Sequence, residues 1–240
     1  MNIFFINIGG RKMKKDLLQI ELETQFKWFH AHPELSYQEY ETTSRLKKLL
    51  KEHDIEILDL PLDTGLVAII RGKYPGPVIA LRSDIDALPV NEETDLQWRS
   101  KSEGKMHACG HDGHATIGLG VAEVLMQIKD QLHGTVKLIF QPAEEGVRGA
   151  KAIVDAGHLD DVQYLIGSHV TDNKEFTNGE VVVPGCHGCL ATTKYDVLFK
   201  GQAAHAGGSP EKGKNVLLAA STAILNLYAI PRHSGGASRI

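Results

Sequence analysis

Between residues 16 and 31, Leu18, Leu22, Phe26 and Phe29 recur at intervals of four and three, the spacing of one apolar helix face. His32-Pro33 closes that segment, because proline cannot extend a helix and disfavours helical geometry in the residue before it. Ser36 followed by Glu39 has the spacing of a capping box and predicts a second helix running to about His53, with Leu46, Leu49 and Leu50 inward. The period then shortens. Ile55 to Leu60, Leu66 to Arg71 and Val78 to Arg82 are brief apolar or β-branched runs bounded by Pro, Gly and Asp, which predict strands. The third is almost wholly apolar, as a strand buried on both faces should be.

Further along, Ile117, Val121, Val124, Leu125 and Ile128 predict a helix, Thr135 to Phe140 a buried strand, Ala150 to Ala156 a short helix and Val162 to His169 another strand. This order predicts an α/β fold: a mixed, mainly parallel sheet covered by helices. Tyr195, Val197 and Phe199 then alternate with polar residues as in a half-exposed strand. Gly201 to Pro210 reads as a loop, and Asn215 to Ile230 as a helix with Val216, Ala219, Ala220 and Ile224 on one face. That strand, loop and helix predict the first part of a smaller α/β domain. The expected division is a catalytic domain over 13–189 and a partial second domain over 190–240. Residues 1–12 are expected to be an extension, since Met13 would serve as a second start.

Composition narrows the functional classes. The 240 residues are 42% apolar and 23% charged, with a net charge of −4, so no basic field invites nucleic acid. Ile3-Phe4-Phe5-Ile6 is too short for a signal-peptide core or a membrane span. Three cysteines in so long a chain do not form a secreted disulfide framework, and the expectation is a cytoplasmic protein.

The chemistry concentrates in Met106-His107-Ala108-Cys109-Gly110-His111-Asp112-Gly113-His114, which holds three histidines, a cysteine and an aspartate. Thiolate, imidazole and carboxylate together suit zinc, or manganese and cobalt where carboxylates weigh more. Other polar groups follow predicted strand ends, where ligands bind in open α/β sheets: Asp84 and Asp86, then Glu144 and Glu145, then His169. One glutamate of the adjacent pair can hold metal while its neighbour serves as general base; the alternative is a solvated loop pair. Cys186-His187-Gly188-Cys189 has no second CxxC to complete a zinc site and no thioredoxin-like context, and reads as a turn with two small thiols. His205 lies in a small-residue loop where backbone can approach a substrate, and as an isolated residue has no assigned role.

Taken in order, His32-Pro33-Glu34-Leu35-Ser36 with Glu39, Leu81 to Pro89, Met106 to His114, Gln141-Pro142-Ala143-Glu144-Glu145-Gly146, His169 and Gly201-Gln202-Ala203-Ala204-His205-Ala206 resemble the metallo-aminoacylase and carboxypeptidase G superfamily, in its branch of hippurate hydrolases and N-acyl-amino-acid amidohydrolases. The likeness runs from about residue 25 to 240. It implies a zinc-aminopeptidase-like catalytic domain and two divalent metal ions (zinc, manganese or cobalt) held by Cys109, His111, Glu145 and His169. It also implies Glu144 as general base, with His205 on a lid or dimerisation domain as the donor to the oxyanion. Asp84 and Asp86 would orient ligands, and the partner is a small N-acyl amino acid, with a homodimer through the lid. The resemblance also implies a last histidine ligand after the lid, for which residues 1–240 hold no counterpart; His233 lies in the lid region. Two other expectations stand beside amide hydrolysis. One is a truncated, impaired member that binds metal or a partner without turnover, and the other is a dipeptidase of the same superfamily.

Overall fold

The computed structural model describes residues 5–8, 11–146, 149–171, 177, 179–183 and 195–230, with side chains described from residue 17 onward. The chain divides into two compact units, Met1–Thr177 and Asn178–Ile240. In the first, β1 (Phe5–Ile8) and β2 (Arg11–Lys14) pair antiparallel, with Phe5 opposite Lys14 and Ile8 opposite Arg11. Helix α1 (Lys15–Ala31) ends at His32-Pro33 as its sequence requires. Helix α2 (Tyr40–Glu52) follows, then β3 (Glu56–Leu58), β4 (Leu66–Arg71) and β5 (Tyr74–Asp84).

The capping box expected at Ser36 and Glu39 does not form. Helix α2 starts at Tyr40, and the Glu34 carboxylate accepts the backbone N–H groups of Glu41 at 3.1 Å and Thr42 at 2.8 Å. Ser36 and Glu39 are used elsewhere: Ser36 Oγ donates to Asp86, and the fully buried Glu39 accepts the N–H of Ala143 at 2.8 Å. Long-range partners have outcompeted the local helix end.

Helix α3 (His111–Gln127), β6 (His133–Gln141), α4 (Gly149–Asp155) and β7 (Tyr164–Gly167) complete the unit. The sheet order is β3-β4-β6-β5-β7. Strand β4 is antiparallel to both β3 and β6, whereas β5 is parallel to β6 and β7, so four of the five strands run one way and β4 runs against them. The sheet is therefore mixed and mainly parallel. Strand β5 is buried mainly toward its end, at Ala80, Ser83 and Asp84, because its outer neighbour β7 is short and exposed.

Side-chain alternation sorts the two faces. Leu66, Ala68, Ile70, Leu138 and Phe140 join Phe29, Leu46, Leu50 and Leu119 in the larger core, against α1, α2 and α3. Val67, Ala80 and Ile139 pack with Ile153 of α4 on the opposite face. Five of the six residues of β4, Leu66 to Ile70, are buried and Arg71 is exposed, which explains why apolar runs rather than alternation marked these strands.

In the second unit, Gln202 and Lys214 pair their backbones across the Gly201 to Pro210 loop, and α5 (Val216–Tyr228) is capped by Asn215, whose Oδ1 accepts the N–H of Leu217 at 2.9 Å. The strand expected over Tyr195 to Phe199 is absent: residues 195–200 carry no ladder, and Tyr195, Val197 and Leu198 are all exposed, so the alternation creates no buried face. No described helix is long and apolar enough to cross a membrane.

Candidate metal centre

Because β5, β6 and β7 run parallel, their C-terminal ends open on one edge of the sheet, and the predicted polar groups leave the chain there. Asp84 ends β5 and Asp86 follows it, Glu144 and Glu145 follow β6, and His169 follows β7. The N-terminus of α3 brings Cys109 and His111 to the same place. It starts six residues before its apolar period because His111, Asp112 and His114 are buried although polar. The turn into α3 depends on Gly110, whose φ of +82° lies in the left-handed region and whose added Cβ would stand 2.4 Å from Val170 Cγ2.

His111 is the best oriented of these groups. Its Nδ1 lies 2.8 Å from the backbone carbonyl of Asp86 and 3.2 Å from Asp86 Oδ1, so that nitrogen carries the proton. Its Nε2 is buried with no hydrogen-bond partner. Asp86 is fully buried, and its Oδ2 accepts Ser36 Oγ at 2.7 Å and the Glu145 N–H at 2.9 Å. Burial alone would raise the Asp86 pKa, but the hydrogen bonds from His111, Ser36 and Glu145 outweigh it and hold the carboxylate below its ordinary range. One aspartate thus ties His111, Glu145 and the segment after α1 together.

His169 is set the same way round. Its Nδ1 donates to the carbonyl of Val170 at 2.6 Å, and its Nε2 faces Cys109 Sγ at 3.4 Å. Cys109, His111 and His169 bring one donor atom each within 4.8 Å of one another, and so do His111, Glu144 and Glu145. His111 belongs to both groups. A third group joins Asp84, His111 and His114, but His114 Nε2 already accepts the Val170 N–H at 3.1 Å, and its Nδ1 stands 3.6 Å from Asp84 Oδ2.

The electrostatics favour a cation. Burial, then Glu145, Glu144 and Asp84, push the Cys109 thiol up to about 12. Burial, then Asp84 and Glu145, raise Glu144 above the usual carboxylate range, with Arg82 offsetting part of this from 3.8 Å. A divalent ion relieves all of these penalties at once, and a lone imidazole nitrogen, a thiol and clustered carboxylates are the donors it needs. The residues present fit a metal.

His30 and Glu92 escaped sequence reasoning. His30 Nδ1 contacts Asp112 Oδ2 at 2.6 Å and its Nε2 contacts Glu92 Oε1 at 3.1 Å. The Asp112 hydrogen bond, outweighing burial, raises His30 to about 9, so it is charged and braces the first turn of α3 from α1. His107 is buried with neither ring nitrogen bonded, and burial pushes it down to about 4. The only hint of His30 was its place just before Ala31-His32-Pro33. In the second unit, His205 is exposed, and its Nδ1 accepts the N–H groups of Gly207 at 3.2 Å and Gly208 at 2.9 Å. Cys186, His187, Cys189 and His233 lie outside the described residues.

The chain is similar to known proteins over most of its length. The chain is 53% identical over 184 residues to an indole-3-acetyl-aspartic acid hydrolase of Enterobacter agglomerans, a match covering 74% of this chain and 42% of that protein. It is 43% identical over 202 residues to an N-acetylcysteine deacetylase of Bacillus subtilis, covering 84% and 52%. Among solved structures, a dinuclear metal-binding peptidase of the M20 family from Bacillus subtilis superposes with a TM-score of 0.65 at 47% identity, covering 66% of this chain and 45% of that one. The chain thus spans about half the length of these relatives. The model of peptidase family M20/M25/M40 matches residues 80–236, more than half of the chain and all of the sheet edge just described, and the chain belongs to that family.

Proposed function

We propose that this chain carries the metal-binding part of a hydrolase that cleaves the amide bond of N-acyl amino acids, giving a carboxylic acid and an amino acid. The observation that supports it best is His111, whose Nδ1 is committed to Asp86 while its unpartnered Nε2 belongs to two overlapping donor groups. Cys109, His111, Glu145 and His169 would hold two divalent ions, with zinc, manganese and cobalt the fitting choices. Relatives named for hydrolysis of indole-3-acetyl-aspartate and deacetylation of N-acetylcysteine share the acyl-amino-acid bond as their target.

A divalent ion bound there supplies Lewis acidity to the scissile carbonyl and acidifies the attacking water. Glu144, raised in pKa and half exposed, takes the proton from that water and returns it to the departing amine. Arg82, 2.6 Å from Asp84 and 3.8 Å from Glu144, keeps the general base from being neutralised outright by its acidic neighbours. His205 is the proposed donor to the oxyanion. Its Nδ1 accepts two backbone N–H groups, which leaves the proton on Nε2, the form that can donate. Residues 190–240 are assigned to a lid that also forms a homodimer, residues 13–189 to the catalytic domain, and the cytoplasm is the proposed compartment.

The deciding experiment combines metal analysis with release of free amino acid from hippurate and a panel of N-acyl amino acids, with Glu144→Ala as control. The expected result is bound divalent metal and a release that Glu144→Ala abolishes. Turnover unchanged in Glu144→Ala would overturn the mechanism, and stoichiometric metal without release over the whole panel would support a member that binds but does not turn over. Faster cleavage of dipeptides than of acyl amino acids would move the assignment to a dipeptidase.

A further inference from the structure

We propose a second divalent-cation site, apart from the sheet edge, where α1, α2 and α3 meet, with Glu21, His53 and Glu123 as its ligands. Each donor comes from a different element: Glu21 from α1, His53 from the C-terminal cap of α2, and Glu123 from α3. One ligand atom from each lies within 4.8 Å of the other two. Glu123 is twelve residues along α3 from His111, about 18 Å at 1.5 Å per residue. The two sites therefore share no ligand and no ion.

The spacing favours shared coordination over direct pairing. His53 Nε2 stands 3.8 Å from Glu123 Oε1, too far for a hydrogen bond. Two ligands each about 2.0–2.1 Å from one zinc ion in tetrahedral geometry lie roughly 3.3 Å apart, a small side-chain rotation away. Among the described residues, no lysine or arginine forms an ion pair with Glu21 or Glu123, and His53 is the basic side chain beside Glu123. Burial, with Glu21 nearby, holds Glu123 above the ordinary carboxylate range, the condition a cation would relieve.

The space between these residues also has the right size. The cleft, closed by Gln25, Leu49 and Leu119, has a volume of about 10 Å³, enough for one water-sized body and too little for an organic ligand. His53 is held at its rim by the end of α2, where its backbone N–H bonds to Leu50 O at 3.2 Å and Asp54 turns the chain away with a φ of +56°. One imidazole and two carboxylates suit zinc, manganese or cobalt, with water completing the shell. An ion here joins the helix that carries His30 to the helix that begins at His111, so its occupancy stabilises the layer beneath the catalytic edge.

Equilibrium dialysis of the full chain against zinc, with metal analysis, tests this directly. The natural chain should bind one zinc equivalent more than His53→Ala, and zinc at about 100-fold above its Kd should raise Tm by several degrees more in the natural chain. Cys109→Ser combined with His111→Ala should retain the extra equivalent, since those residues belong to the other site. Glu21→Gln, close in shape and only half-buried, gives the same readout if His53→Ala does not fold. Equal zinc content and equal zinc-dependent Tm in the natural chain, His53→Ala and Glu21→Gln would overturn the proposal.

Discussion

His111 and His205 are both histidines at glycine-rich turns, yet their surroundings prepare them for opposite tasks. At the sheet edge, a buried carboxylate and a carbonyl accept the His111 Nδ1 proton and leave a lone pair on Nε2. In the second unit, two backbone N–H groups occupy the His205 Nδ1 lone pair and leave a proton on Nε2. The first form can only ligate at its free nitrogen, and the second can only donate. The partner of the inner nitrogen decides the chemistry of the outer one. That partner is an acidic residue 25 positions away in one case and the adjacent loop backbone in the other.

The largest expected effects test whether the two roles are separable. Replacing Glu144 by Ala should lower turnover of N-acyl amino acids by about 10²–10⁴-fold, the usual worth of a general base, with metal content unchanged. His205→Ala should come next, lowering kcat by about 10²–10³-fold with little change in metal content, as loss of an oxyanion donor does. If His205→Ala instead removed metal, the contrast with His111 would collapse, because both would then be ligands. Steady-state kinetics beside metal analysis on the same preparations distinguish these outcomes.

The contrast also explains what could be read from the chain. The strands were legible because both faces of β4 and β6 are apolar and their runs end at Gly, Pro or Asp, which also marked the edge where ligands gather. The start of α3 was not, because its first turn buries His111, Asp112 and His114 through hydrogen bonds rather than apolar contact. Ser36 and Glu39 had the right spacing for a helix cap, and only their partners Asp86 and Ala143, far along the chain, show why they do not cap. The Cys109 and His111 cluster stood out by composition. The Asp86 bond that fixes the His111 tautomer, and the pairing of His30 with Asp112 across 82 residues, are tertiary facts with no local trace.

Asp86→Ala tests the orienting half of the comparison and should have a smaller effect than loss of a reacting group. It leaves the His111 ring held by the Asp86 backbone carbonyl alone and removes the acceptor of the Glu145 N–H, so metal affinity should fall by about 10–100-fold. Asp86→Asn keeps an acceptor toward His111 and should lie between the two. Competition with a chromogenic chelator measures this. Unchanged affinity in both variants would show that His111 is held by the Asp86 carbonyl and local packing alone.

The smallest effect concerns His30, which braces the same helix turn without touching the donor groups. Its pKa is raised from 6.5 to about 9, chiefly by Asp112, so the folded state binds its proton more tightly than the unfolded chain does. The sign follows: this contribution is fully present below pH 6.5 and is lost as pH rises through about 9. Tm should therefore decline between those values in the natural chain, and less steeply in His30→Gln, which can bond to Asp112 but carries no titrating proton. Thermal melts of both proteins in metal-free buffer across that range measure the difference in slope. Parallel curves would mean that His30 braces α3 as a neutral hydrogen-bond donor.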